Sequence, residues 1–322
     1  MTQQLSNRVD VSIVLPVYNE KGHLRDEIDR ITKAMEASDY AYEIIVVDDG
    51  STDGSGDELR DIENISLIQF IQNRGSGAAR KVGTHQSRGD IVVWTDVDMT
   101  YPNDEIPMLL DQMPGWDQVV GARTSEQGTK RFLRVPAKWL IRKLAEYLTA
   151  TRIPDLNSGL RAFRREVAEQ YLHLLPSGFS CVTTITVAFL ANGYSIKYLP
   201  ISYAPRAGES KFHWWSDTRR YLLQVVRMVL SYNPMKVLMP MALTLLVIGT
   251  GKLIYDVFAS NLKIAGNTLL IYSAGFIVLL TALIADLVVN VTKPTHEVDP
   301  AQVEFARAGE RARSSDRTNR PL

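Results

Sequence analysis

The stretch DIVVWTDVD, Asp90 to Asp98, gives the clearest indication of the fold. A short apolar run rich in β-branched residues ends abruptly at two carboxylates, which is typical of a buried strand that leads into a polar loop. Runs of the same kind precede it at Val11–Val17 (VSIVLPV), Glu43–Val47 (EIIVV) and Leu67–Ile71. We therefore predict four strands, the last of them at Asp90–Thr95.

Helical periodicity occupies the intervals between these strands. Glu20–Met35 carries apolar residues at helical spacing, and Gly77–Gln86 is a second predicted helix. Ser51 and Thr52 are expected to cap a further helix after the second strand. Strands that alternate with helices predict an α/β fold with a mostly parallel sheet and helices on both of its faces.

Polar clusters occur where the predicted strands end. They are Tyr18–Glu20, Asp48–Gly50, Asn73–Gly77 and Asp96–Asp98. In a parallel sheet the carboxyl ends of the strands meet at one edge, and ligands bind there. The sequence therefore predicts a binding site at this edge.

Asp96 and Asp98 are the candidate metal ligands. Two carboxylates at positions i and i+2 of an irregular loop can converge on one hard cation, which prefers oxygen ligands and can neutralise a pyrophosphate. A solvated acidic turn is the alternative interpretation of so short a pattern.

The acidic cluster after the second strand also has two interpretations. Asp48 or Asp49 can accept hydrogen bonds from a nucleotide base or ribose, as acids at this place in doubly wound folds commonly do. Alternatively, the segment caps a helix, a role that Ser51 or Asp53 would serve.

The glycine-rich segment Asn73–Gly77 resembles a phosphate-binding loop, but Arg80 stands where a dinucleotide fingerprint has its last glycine. As a dinucleotide fingerprint the segment is therefore poor. A turn that admits close approach of another backbone segment is the better interpretation.

The last third of the chain has a different character. Val237–Phe258 and Thr268–Val291 are apolar apart from three charged residues. Each has roughly the 20 residues that a helix needs to cross a bilayer. Basic residues flank the pair, so the positive-inside rule predicts that both ends are cytoplasmic. Two buried helices of a large soluble core are the alternative.

Two further segments, Thr129–Tyr147 and Asp217–Ser231, mix basic side chains with aromatic and aliphatic ones. Basic amphipathic helices of this kind suit the headgroup region of anionic membranes, and packed surface helices are the alternative. The predicted organisation is an α/β domain over 1–212, a juxtamembrane amphipathic helix over 213–235, a transmembrane hairpin over 236–292 and a disordered cytoplasmic tail over 293–322.

Composition excludes several classes of protein. The 322 residues have a formal net charge of zero, which argues against a dedicated nucleic-acid binder. Cys181 is the single cysteine, so an intramolecular disulfide framework and a cysteine-rich zinc site are excluded. Residues 1–10 contain no apolar run, so no secretory signal is expected and membrane insertion must come from inside the chain.

Taken together, the motifs resemble those of the inverting family 2 glycosyltransferases of GT-A fold over about Val11–Lys211. The matching segments are LPVYNE (Leu15–Glu20), VVDDGSTD (Val46–Asp53), NRGSGAARKVG (Asn73–Gly83), DVDMTYP (Asp96–Pro102), GAR (Gly121–Arg123), DLNSGLRAFRR (Asp155–Arg165) and RAGESK (Arg206–Lys211). This combination is similar to the branch that makes polyprenyl-phosphate sugars, such as dolichol-phosphate mannose synthases and bacterial polyprenyl-phosphate glucosyltransferases.

The resemblance implies roles for individual residues. The implied donor-binding residues are Pro16, Tyr18, Glu20, Asp48, Asp49, Gly75, Asp96, Arg123, Ser210 and Lys211. It implies that Asp96 and Asp98 hold Mg²⁺ or Mn²⁺, and that Asp98, Asp155 and Arg206 are catalytic. Because a polyprenyl phosphate is already ionised near neutral pH, we expect Asp155 to position substrate rather than to act as a general base.

The sequence departs from the family pattern in two places. Met99 and Thr100 stand where relatives often have leucine and glutamine, which puts an amide contact near the metal in doubt. The glutamate common in the helix after Gly178-Phe179 is not evident. The QxxRW signature of processive polysaccharide synthases is also missing.

The expected function is metal-dependent, inverting transfer of a hexose from a UDP- or GDP-linked donor to a polyprenyl phosphate at the cytoplasmic membrane face. Membrane lipids are expected partners, association through the transmembrane helices is expected, and nucleic acid is not. One alternative is a family 2 transferase with a glycolipid or saccharide acceptor. Another is a non-catalytic membrane scaffold, against which Asp96, Asp98 and Arg206 argue. The imperfect glycine loop and the hydrophobic hairpin disfavour a soluble dehydrogenase.

Overall fold

The computed structural model describes residues 8–124, 142–143, 145–147, 149–178, 180–204, 233–259 and 264–292. These residues fall into two compact units. The first consists of 8–124 together with 153–204, and the second of the described part of 142–152 together with 233–292.

The first unit is built on one sheet of seven strands. In chain order they are β1 (Val11–Val17), β2 (Tyr42–Asp48), β3 (Ile65–Gln69), β4 (Ile91–Trp94), β5 (Gln118–Arg123), β6 (Arg161–Arg164) and β7 (Ile196–Ile201). The spatial order is β3-β2-β1-β4-β6-β5-β7; β6 runs antiparallel to both of its neighbours, and the other pairs are parallel. The prediction of a mostly parallel sheet is confirmed.

Six helices belong to this unit in the part of the chain that the structure describes. They are α1 (Leu24–Glu36), α2 (Ser55–Arg60), α3 (Ser76–Gln86), α4 (Ile106–Leu110), α5 (Arg165–Glu169) and α6 (Cys181–Ala191). Single 3₁₀ turns occur at Asn103–Glu105 and Leu172–Leu174.

Alternate residues of β1 face opposite sides of the sheet, as the pleat of a strand requires. Ile13 belongs to the main core cluster together with Ile28 of α1. Val14 points the other way, to α3, where a Cβ added at Gly83 would lie 2.3 Å from a methyl carbon of Val14. Helices therefore cover both faces, as predicted, and Gly83 lets α3 approach the sheet closely.

Two predicted elements of this unit have a boundary that is wrong by more than one residue. The third strand is Ile65–Gln69 rather than Leu67–Ile71, because its pairing with β2 stops where Asp48 meets Gln69. Ile71 lies beyond that pairing and is fully exposed. The first helix begins at Leu24 rather than Glu20, because the backbone of Asn19 and Gly22 has positive φ angles (54° and 95°) that a helix does not allow.

The predicted helix cap at Ser51 and Thr52 is also wrong. The helix α2 begins later, at Ser55, after Gly54 with φ 93°. The hydroxyl of Ser51 instead accepts a hydrogen bond from the backbone N–H of Asn19 (3.0 Å). Ser51 therefore connects two strand ends.

The second unit contains two long helices, α7 (Met235–Ala259) and α8 (Gly266–Thr292). They pack antiparallel: Leu246 lies against Gly275, and the hydroxyls of Thr250 and Tyr272 are 2.8 Å apart. The spans Met235–Phe258 and Gly266–Val291 have mean hydropathies of 1.9 and 2.3, with only 11% of each apolar window buried. By length and composition both can cross a membrane, and their exposure disfavours the alternative of buried core helices.

A polar group joins these two helices near the end of α7 and the start of α8. Asp256 of α7 accepts hydrogen bonds from the backbone N–H of Ala265 (3.1 Å) and from the hydroxyl of Thr268 on α8. It also lies 3.1 Å from the ammonium nitrogen of Lys252, one helical turn earlier. The carboxylate therefore satisfies a backbone amide at the start of α8.

Candidate active site

The loop after β1 is fixed by hydroxyl groups from the segment after β2. The N–H groups of Asn19 and Glu20 donate to Ser51 Oγ and Ser55 Oγ, each at 3.0 Å. In return, the side-chain oxygen of Asn19 accepts from the N–H of Thr52 (2.8 Å). Tyr18 and Glu20, two predicted donor-binding residues, are half-buried on this loop, and Pro16 is half-buried in β1 just before it.

Asp48 and Asp49 hold neighbouring strand ends together. The two oxygens of Asp48 accept from the N–H of Ser51 (3.0 Å) and the side-chain amide of Gln69 on β3 (3.1 Å). Those of Asp49 accept from the N–H groups of Arg74 (2.6 Å) and Gly75 (2.8 Å). Both carboxylates are buried. A role in nucleoside binding stays a prediction for both residues.

Burial dominates the electrostatics of Asp49. Desolvation raises the pKa of its carboxyl above the ordinary value, although the hydrogen bonds from Arg74 and Gly75 oppose this shift. The fold therefore holds the carboxyl of Asp49 in a buried position against the loop at Arg74 and Gly75.

The glycine-rich segment packs against another backbone segment, as the turn interpretation expects. The N–H groups of Gly77 and Ala78, at the start of α3, donate to the carbonyl oxygen of Ser177 (2.7 and 3.1 Å). A Cβ at Gly75 would lie 2.3 Å from that same oxygen, so only glycine fits there. These amides are thus directed at a protein carbonyl rather than presented to a phosphate.

Asp96 follows β4 and contacts a buried arginine. Its Oδ1 lies 2.5 Å from the guanidinium of Arg80, and its side chain is 34% exposed. Its Oδ2 faces Gly159, where an added Cβ would be only 2.8 Å away. Arg80, which also stacks 5.8 Å from the ring of Trp94, is a site residue that sequence reasoning noted only as a missing glycine.

Asp98 lies in a tight turn of the same loop. Its Oδ1 accepts from the hydroxyl of Thr100 (2.6 Å) and from the N–H of that residue (3.3 Å). Met99, between them, has φ 59°, a left-handed conformation that is uncommon outside glycine and asparagine. Thr100 therefore orients Asp98.

Arg123 and Asp155 form a bidentate ion pair. The guanidinium donates to both carboxylate oxygens (2.7 and 2.9 Å), and the N–H groups of Arg123 and Asn157 donate to the same carboxylate (3.2 and 3.0 Å). Burial favours a higher pKa for Asp155, but the hydrogen bonds and charge of Arg123 outweigh burial and lower it. Asp155 is therefore an anion at neutral pH.

Two tyrosines connect this ion pair to the loop Asp96–Asp98. The guanidinium of Arg123 lies 5.2 Å from the ring of Tyr203, which contacts Tyr101 edge to face. The hydroxyl of Tyr101 accepts from the N–H of Gly159 (2.7 Å), the glycine that faces Asp96. The structure therefore brings the predicted residues Asp96, Arg123 and Asp155 into one connected group.

Arg161 is a second buried arginine that sequence reasoning missed. It donates to the carbonyl oxygens of Ser158 and Val182 and to the hydroxyl of Thr186. Burial lowers its pKa to about 10. Arg161 thereby joins the loop that carries Asp155 to α6, and nothing in its sequence motif indicated this role.

The remaining predicted residues, Arg206, Ser210 and Lys211, lie outside the described residues. The same holds for the segment 213–232, for the tail 293–322, and for most of the basic segment Thr129–Tyr147. Their assignments stay predictions.

Two family profiles match the chain. Residues 12–172, half of its length, match the family described as "Glycosyl transferase family 2". Residues 233–291 match "GtrB C-terminal hairpin". The chain belongs to glycosyl transferase family 2, and its two apolar helices form the hairpin of the second family, as expected of a membrane protein.

Curated relatives are similar over about two thirds of the chain. An "Undecaprenyl-phosphate 4-deoxy-4-formamido-L-arabinose transferase" of Aeromonas hydrophila is 35% identical over 212 residues, 63% of this chain and 62% of the relative. A protein of the same name from Pseudomonas fluorescens is 36% identical over 63% of this chain and 60% of its own length. The chain thus spans about three fifths of the length of these relatives.

Solved structures show the same fold. Glucosyl-3-phosphoglycerate synthase of Mycobacterium tuberculosis, in complex with Mn²⁺, UDP and glucosyl-3-phosphoglycerate, superimposes with a TM-score of 0.55 at 22% identity. The match covers 68% of this chain and 80% of that one. A complex of the same enzyme with Mn²⁺ and UDP-glucose gives a TM-score of 0.53 at 23% identity. The GT-A fold implied by the sequence resemblance is confirmed.

Proposed function

We propose that this chain transfers a sugar from a nucleotide-sugar donor to a polyprenyl phosphate at the cytoplasmic face of a membrane. The observation that carries the proposal is one of organisation: a family 2 domain precedes two apolar helices that match the GtrB hairpin. An acceptor that is itself embedded in the bilayer requires an enzyme held beside it. The relatives' names, which specify undecaprenyl phosphate, support the same acceptor class.

Asp96 and Asp98 are the proposed ligands of a divalent cation, Mg²⁺ or Mn²⁺. Their carboxylate oxygens are hard donors, and the side chain of Asp96 is one-third exposed at the strand end. No cluster of three or more potential ligating side chains occurs among the residues that the structure describes. Donor diphosphate and water would complete the coordination. When bound, the cation would stabilise the charge of the departing nucleoside diphosphate.

Asp155 and Arg123 are proposed to position rather than to transfer protons. Asp155 accepts four hydrogen bonds, three of them from Arg123 and one from the N–H of Asn157. A carboxylate held in this way is a poor base, and an ionised phosphate acceptor needs none. The pair would instead keep one wall of the site rigid, so that the acceptor oxygen attacks the anomeric carbon opposite the leaving group. That geometry inverts the configuration.

The donor is proposed to be a UDP- or GDP-linked sugar. A hexose is the first expectation, whereas the relatives' names specify a formamido-arabinose, which is a modified pentose. The decisive panel therefore contains glucose, mannose, N-acetylated hexoses and amino-pentoses, each as the nucleotide sugar.

The test is transfer of radiolabel by membranes that contain the full chain, with Mg²⁺ or Mn²⁺, followed by extraction of lipids. We expect label in a polyprenyl-phosphate fraction that mild acid releases, and its loss on addition of EDTA. Label found only in glycolipid or polymer would overturn the acceptor assignment. An Asp98→Ala variant that fully supports function in cells would instead favour a non-catalytic scaffold.

A further inference from the structure

The 3₁₀ turn that follows the metal-binding loop contains a fully buried amide, that of Asn103. Its Nδ2 donates to the backbone carbonyl of Asp96 (3.0 Å) and to Oε1 of Glu27 on α1 (2.6 Å). Its Oδ1 accepts from the hydroxyl of Thr95 (2.5 Å). One side chain therefore makes three hydrogen bonds, two of them to the segment Thr95–Asp96.

Glu27 is the anchor of this group on the helix side. It is fully buried, and burial raises the pKa of its carboxyl. Its Oε1, which accepts the hydrogen bond from the amide of Asn103, also lies 3.6 Å from a guanidinium nitrogen of Arg30. Its Oε2 has no hydrogen-bond donor among the described residues. A fold optimised only for stability would not retain a half-satisfied buried carboxyl, because such groups cost free energy.

The hydrogen bonds from Asn103 restrain the backbone at the start of the loop Asp96–Asp98. Asp96 leaves β4 two residues after Trp94, where regular strand pairing has ended. The carbonyl of Asp96 lies in the peptide plane between Asp96 and Val97, and it bonds to the same planar amide as the hydroxyl of Thr95, so that peptide plane is held relative to Thr95. The orientation of that plane determines where the Asp96 carboxylate points.

We infer that Asn103, anchored by Glu27, is a positioning residue that sets the metal affinity of the loop Asp96–Asp98. This inference rests on the proposed function, in which the loop Asp96–Asp98 binds a divalent cation. It adds to that function a residue on a different element, which the sequence motifs did not identify.

Two isosteric substitutions separate positioning from stability. Asn103→Asp removes both amide donors and places a carboxyl against Glu27. Adding Glu27→Gln restores a donor toward position 103, but it cannot restore the hydrogen bond to the carbonyl of Asp96. Glu27→Gln alone keeps an acceptor for Asn103 and leaves the bond to Asp96 intact.

The measurements are Mn²⁺ binding, from the electron paramagnetic resonance signal of free Mn²⁺, and the midpoint of thermal unfolding. The purified full-length chain in detergent is titrated with Mn²⁺ in the presence of UDP. We expect Asn103→Asp to lower the unfolding midpoint and to weaken Mn²⁺ binding about tenfold, the equivalent of about 1.4 kcal/mol for one lost hydrogen bond. The double variant should regain stability but not Mn²⁺ affinity, and Glu27→Gln alone should bind Mn²⁺ like the wild type.

Ser12→Ala is the matched control for destabilisation. Ser12 is fully buried at the opposite end of the sheet, and its hydroxyl donates to Glu43 (2.6 Å) and accepts from the N–H of Gly89 (2.9 Å). It should lower the unfolding midpoint without changing Mn²⁺ binding. A double variant that regains both properties, or Asn103→Asp that binds Mn²⁺ like the wild type, would overturn the positioning role alone. Wild-type protein that binds no Mn²⁺ with UDP would overturn the proposed metal dependence as well.

Discussion

Two pairs of acids follow two strands of the same sheet, yet they make different kinds of contact. Asp48 and Asp49, after β2, have partners on other strand ends: Gln69 of β3 and the loop at Arg74. After β4, Asp96 pairs with Arg80 of α3, whereas Asp98 accepts from the hydroxyl of Thr100 in its own turn. Asp48, Asp49 and Asp96 thus bridge separate segments, whereas the hydrogen bond between Asp98 and Thr100 lies within one turn and can change without separating two segments. Position at a strand end alone does not distinguish the two.

The largest expected effect tests Asp98. Asp98→Asn keeps the acceptor for Thr100 but removes the charge, so the turn should persist while the metal site is lost. We expect sugar transfer to fall about a thousandfold, with the thermal unfolding midpoint close to that of the wild type. Steady-state transfer assays with saturating Mg²⁺, combined with unfolding curves, measure both. Loss of stability as large as the loss of activity would show that Asp98, too, bridges the fold.

An intermediate effect tests the β2 acids with the same substitution. Asp49→Asn replaces an acceptor of two backbone hydrogen bonds by an amide that can accept at only one atom. We expect the free energy of unfolding to fall by about 2 kcal/mol, with transfer per folded molecule changed only a few-fold. Urea unfolding of the chain and assays corrected for the folded fraction give these values. If Asp49→Asn loses activity while its free energy of unfolding stays that of the wild type, Asp49 binds the donor directly. Asp49 would then not differ from Asp98 in the way described above.

The smallest expected effect concerns pH. The folded-state pKa of Asp155 lies below its ordinary value of 3.8, so ionised Asp155 contributes stability at pH values above 3.8. That contribution is lost as the pH falls through the folded-state pKa. Asp155→Asn should therefore cost roughly 1 kcal/mol at pH 7 and progressively less below pH 3.8. Thermal unfolding of both proteins between neutral and acid pH measures this difference, and a constant difference would contradict it.

The sequence predicts the first four of the seven strands, because each is a short apolar run that ends at polar residues. Strand β1 lies at Val11–Val17 as predicted, because a run of β-branched residues ends at a polar turn. Asp96–Asp98 follows its strand for the same reason. Strand β6, the antiparallel insertion between β4 and β5, is not predicted, since the short segment RAFR carries no strong periodicity.

The candidate site was less predictable, because many of its contacts join residues far apart in the chain. Arg80 pairs with Asp96 across 16 residues, and Asn103 reaches Glu27 across 76. Neither pairing leaves a local trace in the sequence. The helix cap expected at Ser51 fails for a related reason: its hydroxyl serves Asn19, 32 residues earlier, instead of the helix that follows.

The hairpin has a consequence for how the chain enters a membrane. Lys252 and Asp256 lie one helical turn apart in an otherwise apolar span, with 3.1 Å between their charged atoms. A lone carboxylate would resist transfer from the translocation channel into lipid. Paired with the lysine before the spans separate from that channel, the two charges enter as one compact dipole of zero net charge. The segment of α7 that carries this pair can then enter lipid without either of the two charges being lost by protonation.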